Sequence, residues 1–182
     1  MLKRLRDRRT ARESAGMLYR ALVAQARSSA FYRDAGVPDT LDGRFELVAL
    51  HAFMVLRRLQ ADPGRTGVLA QALFDAMFDD MDRSLREMGA GDLGVGRRVK
   101  FMASSFLGRV KAYEGGLDGG DEALRSALVR NLYGTVPAPA DGAVAMARYM
   151  RDQLAALEAQ PLDDLVAGRV RFDAALAECA PG

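Results

Sequence analysis

Tryptophan is absent from this 182-residue chain, and cysteine and histidine occur once each, as Cys179 and His51. A single cysteine cannot close an internal disulfide, which points to a reducing compartment. One cysteine and one histidine also cannot build a zinc site of the Cys/His type. β-Branched residues are few, and apolar and polar residues never alternate for more than a few positions, so there is little from which to make a sheet. Long apolar runs are missing as well. The longest, residues 47–56, is ten residues with His51 inside it, against roughly 20 for a bilayer-spanning helix. The start, MLKRLRDRRTAR, is charged where a secretory leader needs an apolar centre, so no leader is expected.

What is present favours helices. Alanine, leucine, arginine and aspartate dominate, all of them tolerated or favoured in helices rather than strands. Thr10 and Glu13 have the spacing of a capping box, so a first helix is expected from Thr10 to about residue 29, preceded by a basic tail over 1–10. GVPDTLDG at 36–43 reads as a turn, with Thr40 or Asp42 capping a helix over 43–61 that is apolar on nearly every side and therefore central. A third helix over 66–88 carries Leu69, Leu73, Met77, Met81 and Leu85 at spacings of four, the signature of a core stripe. A fourth over 93–114 has Val99, Met102, Phe106, Val110 and Tyr113 inside, with Arg97, Lys100, Ser104 and Lys111 outside. Gly115, Gly116, Gly119 and Gly120 suggest a flexible break before a short helix at 121–132. GTVPAPADG at 134–142 is the clearest linker, and a last amphipathic helix over 141–158 uses Val144, Ala147, Met150, Leu154 and Leu157. Weaker helices are expected at 162–168 and 172–178. The expectation is an all-α fold spanning 1–182, a single compact domain of about six or seven helices with a C-terminal helical extension.

The net charge is only +2, but it is distributed in blocks: +7 over 1–33, −5 over 34–96, +5 over 97–113 and −5 over 114–182. Basic blocks of this kind attract anionic lipid surfaces or nucleic acid. No aromatic residues interleave with the charges at the N-terminus, which argues against a specific nucleic-acid site. Lys3, Arg4, Arg6, Arg8 and Arg9, beside Met1, Leu2 and Leu5, are the candidate contacts to an anionic membrane.

The chemistry-bearing patterns converge on 75–100. Asp75, Asp79 and Asp82 fall on one helix face, as in all-helical prenyl-transfer enzymes that hold Mg²⁺ for a diphosphate. Against this, no second aspartate-rich helix exists, the chain is short for such a cavity, and Arg83 and Arg86 lie one turn away to neutralise the acids. Gly89, Gly91 and Gly94 spell GxGxxG, but a dinucleotide loop needs a preceding strand and here a helix precedes it. His51 has no nucleophile placed beside it by any motif and is expected to be a hydrogen-bonded core residue. Cys179 has no activating neighbours. No cofactor is expected.

Four blocks carry a family likeness: GVPDTLDGRF (36–45), LHAFMVLRRL (50–59), FDAMFDDMDRSLREMGAGDLGVG (74–96) and FLGRVKAY (106–113). Over about residues 15–135 the chain resembles the ubiquinol–cytochrome c chaperone family. The resemblance implies an all-α protein that is not an enzyme. It implies a chaperone that binds newly synthesised cytochrome b and assists assembly of the cytochrome bc1 complex, respiratory complex III. The translating ribosome or the insertion machinery would be further partners. Such a chaperone would be cytoplasmic and peripheral at the inner face of the cytoplasmic membrane. Asp75, Asp79, Asp82, Arg83 and Arg86 are then the candidate client contacts. A small Mg²⁺-dependent prenyl-transfer enzyme using Asp75, Asp79 and Asp82, and a generic peripheral membrane-binding protein, are the alternatives.

Overall fold

The computed structural model describes residues 2–87, 92–134, 136–173 and 176, without the side chains of 2–5, 92–95 and 98. The elements run α1 (Leu2–Ala26), α2 (Ser29–Arg33), α3 (Leu41–Leu59), α4 (Pro63–Glu87), α5 (Asp92–Asp118), α6 (Asp121–Leu128), a π-helical turn (Val129–Tyr133), α7 (Ala140–Ala159) and α8 (Leu162–Val166). Among the described residues there is no strand, and no helix is long and apolar enough to cross a membrane.

Helix α3 organises the rest. Thr40 is its N-cap: the backbone there is extended, and the side-chain oxygen accepts from the Gly43 amide at 3.1 Å, satisfying a donor that the first turn leaves open. Gly43 is needed at this point because a Cβ would lie 2.0 Å from the Pro38 carbonyl oxygen. Beyond the cap, α3 is buried nearly all round and stands between two apolar clusters. Leu47, Leu50, Phe53 and Met54 face one cluster, built with α2, α6, the π-helical turn and α7. Ala49, Ala52, Val55 and Leu59 face the other, built with α1, α4, α5 and α8. A helix between two packed layers can afford no polar face, which explains the nearly continuous apolar run of 47–56.

The other helices follow from the same forces. α4 opens with Pro63 at its first position, where the missing amide hydrogen is no loss. It buries Leu69, Leu73, Met77, Met81 and Leu85 on one stripe, and Phe74 and Phe78 meet Phe106 of α5 at ring-centroid distances of 5.9 and 6.3 Å. The Arg58 guanidinium at the end of α3 donates to the Leu157 and Gln160 carbonyls at 2.8 and 2.9 Å, capping the exit of α7 with a cation where the helix dipole favours one.

Several expectations change. α1 begins at Leu2, so the described part of the basic start is helix rather than tail, and Thr10 lies mid-helix. Glu13 pairs instead with Arg9 one turn earlier, at 3.0 Å, a spacing that supports a continuous helix. The glycines at 115 and 116 do not break α5, which continues to Asp118. Gly116 is a contact point: a Cβ there would lie 2.9 Å from the Leu124 Cα, so its absence lets α6 pack close. The turn comes at Gly120, whose φ of 89° suits glycine. The C-terminal helix is part of the main core, with Met146, Tyr149, Met150 and Leu157 of α7 in the α3 cluster; Val144, read as inward-facing, is exposed. The linker before α7 is tied back too, since Tyr133 donates to the Ala35 carbonyl at 2.8 Å. Residues 170–173, partly expected as helix, have no regular secondary structure; of the expected helix at 172–178 only 172, 173 and 176 are described, and Cys179 lies outside the described residues.

Candidate functional site

An open cleft of about 1170 Å³ runs between the end of α1, the start of α3, the C-terminal third of α4, the middle of α5 and the π-helical turn. One side is apolar: Phe45, Met81, Leu85, Phe101 and Met102 line it. Leu41, Phe101 and Val136 also line it while 49%, 70% and 42% exposed, so large apolar groups are held in water at the cleft. The lining also carries charge of both signs, from Arg27, Arg44, Arg109 and Arg130 and from Asp39, Asp42, Glu46 and Asp80.

Glu46 and Arg109 form the best-defined polar feature. The Arg109 Nε lies 2.5 Å from Glu46 Oε2, and Nη2 bonds the second oxygen, a two-pronged pair bridging α3 and α5. The guanidinium also sits 5.2 Å from the Phe45 ring centroid, within cation–π range. Burial raises the Glu46 carboxyl above its ordinary range, opposed by the hydrogen bond and charge of Arg109. Burial pulls the guanidinium down, but the Glu46 bond and charge outweigh it and Arg109 is raised. The Tyr113 hydroxyl, fully buried and within the field of both groups, has no hydrogen-bond partner among the described residues. Neither Glu46 nor Arg109 was singled out from sequence. The signal was present: Glu46 interrupts the apolar face of a central helix, and Arg109 falls one turn from both Phe106 and Tyr113 on a buried stripe.

The acidic stretch of α4 divides between two directions. Asp75 and Asp79 are exposed on the outer face, where Asp75 accepts from Gln71 at 2.7 Å and Asp82 pairs with Arg86 at 2.6 Å. Asp80 turns instead toward α1 and the cleft, accepting from the Tyr19 hydroxyl at 2.9 Å, with Arg83 3.6 Å away. Burial and the Asp80 contact both raise the Tyr19 phenol. Among the described residues no three Asp, Glu, His or Cys side chains converge as a metal site, so the expected alternative of a Mg²⁺ cage at Asp75, Asp79 and Asp82 has no geometric support. Gly89 and Gly91 lie outside the described residues. Gly94 is inside α5, and the element before the loop is the helix α4, so the GxGxxG spelling lacks its βαβ setting. Arg6, Arg8 and Arg9 project from the first turns of α1 and are exposed; the side chains of Lys3 and Arg4 lie outside the described residues.

His51 is the core residue expected, and it anchors a network. Its Nδ1 is 2.7 Å from the Leu47 carbonyl. A carbonyl only accepts, so Nδ1 carries the proton and the Tyr149 hydroxyl donates to Nε2 at 2.8 Å. Gln25 of α1 donates to the Tyr149 oxygen at 2.9 Å and to the Asp173 carbonyl at 3.1 Å. Gln160 accepts from the Arg171 amide and donates to its carbonyl at 2.9 and 2.8 Å, and Gln153 accepts from the Asp173 amide at 3.0 Å. Phe172 closes over His51 at a ring distance of 5.5 Å. Side-chain amides of Gln25, Gln153 and Gln160 thus satisfy backbone groups of the irregular segment 170–173.

The helical domain thus presents an open cleft lined by both apolar and charged side chains. The sequence profile described as ubiquinol–cytochrome C chaperone matches residues 33–172, and the chain belongs to that family. It is 24% identical over 155 residues to ubiquinol–cytochrome c reductase complex assembly factor 1 of Drosophila melanogaster, covering 82% of this chain and 60% of that protein. The Mus musculus protein of the same name is 25% identical over 157 residues, covering 85% and 53%. The chain thus spans a little over half the length of these two relatives. Among solved structures it is similar to the Cbp3 homolog from Brucella abortus, with 35% identity, a TM-score of 0.82, and coverage of 96% of this chain and 98% of that one.

Proposed function

We propose that this protein is a non-enzymatic assembly chaperone of the cytochrome bc1 complex, that newly synthesised cytochrome b is its client, and that the cleft receives the client. The observation that carries the reading is the cleft itself, with Leu41, Phe101 and Val136 exposed around a partly buried Glu46–Arg109 pair. A membrane protein before assembly exposes apolar helix faces and unpaired polar groups together. A groove offering both, with the adaptable side chains of Met81 and Met102 in its wall, matches that mixture. Family membership and the assembly-factor names of the relatives support the same direction.

In this reading Asp75, Asp79, Asp82, Arg83 and Arg86 form a second contact to the client or a partner, beside Asp80 at the cleft. The protein works at the inner face of the cytoplasmic membrane, where Lys3, Arg4, Arg6, Arg8 and Arg9 meet anionic headgroups, near the translating ribosome or insertion machinery. The test uses Leu41→Asp with Val136→Asp, two exposed positions whose change leaves the core alone. In a pull-down from cells making the tagged full chain, the double variant should recover about tenfold less cytochrome b, with unchanged helicity and melting. Recovery equal to the wild type would remove the cleft from the reading. Failure of the wild type itself to capture cytochrome b would remove the client.

A further inference from the structure

Helix α5 carries a second surface, directed away from the core, that shares only Phe101 with the cleft. Arg97, Lys100, Phe101, Ser104, Leu107 and Lys111 are all exposed, and at about 100° per residue they fall within roughly a third of the helix circumference. The opposite side is the packed one, with Phe106 and Tyr113 fully buried. Two large apolar side chains stand out from this outer face, Phe101 at 70% and Leu107 at 58% exposure. Arg97, Lys100 and Lys111 flank them, and none has an ion-pair partner among the described residues. From 97 to 113 the chain contains five basic residues and no acid. Charge without apolar anchors makes a loose electrostatic contact, and apolar anchors without charge make a generic sticky patch. The two interleaved on one helix face are what an interfacial helix needs to lie at the boundary of headgroups and acyl chains.

We infer that the outer face of α5 docks onto an anionic lipid bilayer, with Phe101 and Leu107 entering the interface and Arg97, Lys100 and Lys111 meeting phosphate headgroups. Charge complementarity selects this occupant over a neutral apolar protein surface, which would leave three cations against it unpaired. The start of α1 differs: Arg6, Arg8, Arg9 and Arg12 are exposed there, but among its described side chains no large apolar group stands out before Met17. The α1 charges attract a bilayer and α5 seats the protein on it. Phe101 also lines the cleft, so docking through α5 brings the cleft to the membrane surface.

The absence of tryptophan supplies the test. Phe101→Trp places a single reporter on the proposed face, at a position exposed enough to accept it. Purified full-length protein is mixed with vesicles of equal phosphatidylglycerol and phosphatidylcholine, or of phosphatidylcholine alone. The reporter should shift to the blue and be quenched by brominated acyl chains on the anionic vesicles only. Lys100→Glu with Lys111→Glu should weaken co-sedimentation by at least about tenfold, since one basic residue near an anionic surface contributes about fivefold. Arg6→Glu with Arg8→Glu should leave the blue shift at saturating lipid intact. Co-sedimentation without a blue shift would place the contact elsewhere, and equal binding to neutral vesicles, or none to anionic ones, would also overturn the proposal. No client is present in this measurement, so its failure leaves the chaperone reading untouched.

Discussion

His51 should make this protein acid-labile by an amount its burial sets. The imidazole is fully enclosed, and burial lowers its pKa from 6.5 to about 4, partly opposed by the hydrogen bond to the Leu47 carbonyl. Above the unfolded-state pKa the ring is neutral in both states and proton binding favours neither. Between about pH 6.5 and 4 the unfolded chain takes up a proton that the folded one refuses, so stability falls as the pH falls. At about 1.4 kcal/mol per pH unit the loss reaches roughly 2 kcal/mol near pH 5 and levels off at about 3 kcal/mol once the folded ring is protonated as well. That is a large share of the stability of a domain this size. Protonation also removes the Nε2 lone pair to which Tyr149 donates, turning an acceptor into a donor facing a donor. The assay is urea unfolding of the wild type and of His51→Asn, followed by circular dichroism from about pH 8 to about pH 5. The variant is less stable at pH 8, but the gap should close by about 2 kcal/mol toward pH 5. Because this is the only histidine, its ring resonances can be followed through the same range without assignment. Parallel stability curves, or a ring titrating near pH 6.5, would refute the argument.

Two further outcomes follow from the packing. Arg109→Met strands the buried Glu46 carboxyl and should cost about 3 kcal/mol in chemical unfolding, with part of the loss recovered when Glu46→Gln is added; strictly additive costs would mean that the two side chains do not depend on one another. Gly43→Ala drives a Cβ into the Pro38 carbonyl and should lower stability by about 3 kcal/mol, whereas Gly67→Ala, in α4 with nothing within 4 Å, should raise it by up to about 1 kcal/mol. Thermal melts of the two alanine variants moving in the same direction would contradict this reading of the glycines.

What could be read in the sequence was local or periodic. The all-round apolar character of 47–56 marks α3 as central, and spacings of four find the buried stripe of α4. Gly116 defeats such reasoning because a close helix approach and a flexible break use the same residue. Thr10 and Glu13 have the spacing of a cap, yet only the partner chosen by Glu13 decides between a cap and a mid-helix pair. Asp75, Asp79 and Asp82 share a face and attract notice together, while Asp80, one position off that face, is the carboxylate that reaches the cleft. The cleft itself is invisible locally. Glu46 and Arg109 are 63 positions apart, and the residues around them come from five helices, three connecting segments and the π-helical turn.

The glutamine-held segment at 170–173 also bears on the order in which the chain becomes native. Gln25 is made early, but its partners lie 124 and 148 positions further along, at Tyr149 and Asp173. At roughly 5–20 residues per second of synthesis, its amide waits on the order of 10–30 s before both are available. Through that interval α1 can pack against α3 and α4, whereas the network around His51 stays open. The hydrogen bonds of Gln25 therefore form only after Asp173 has been made, and the network around His51 closes no earlier.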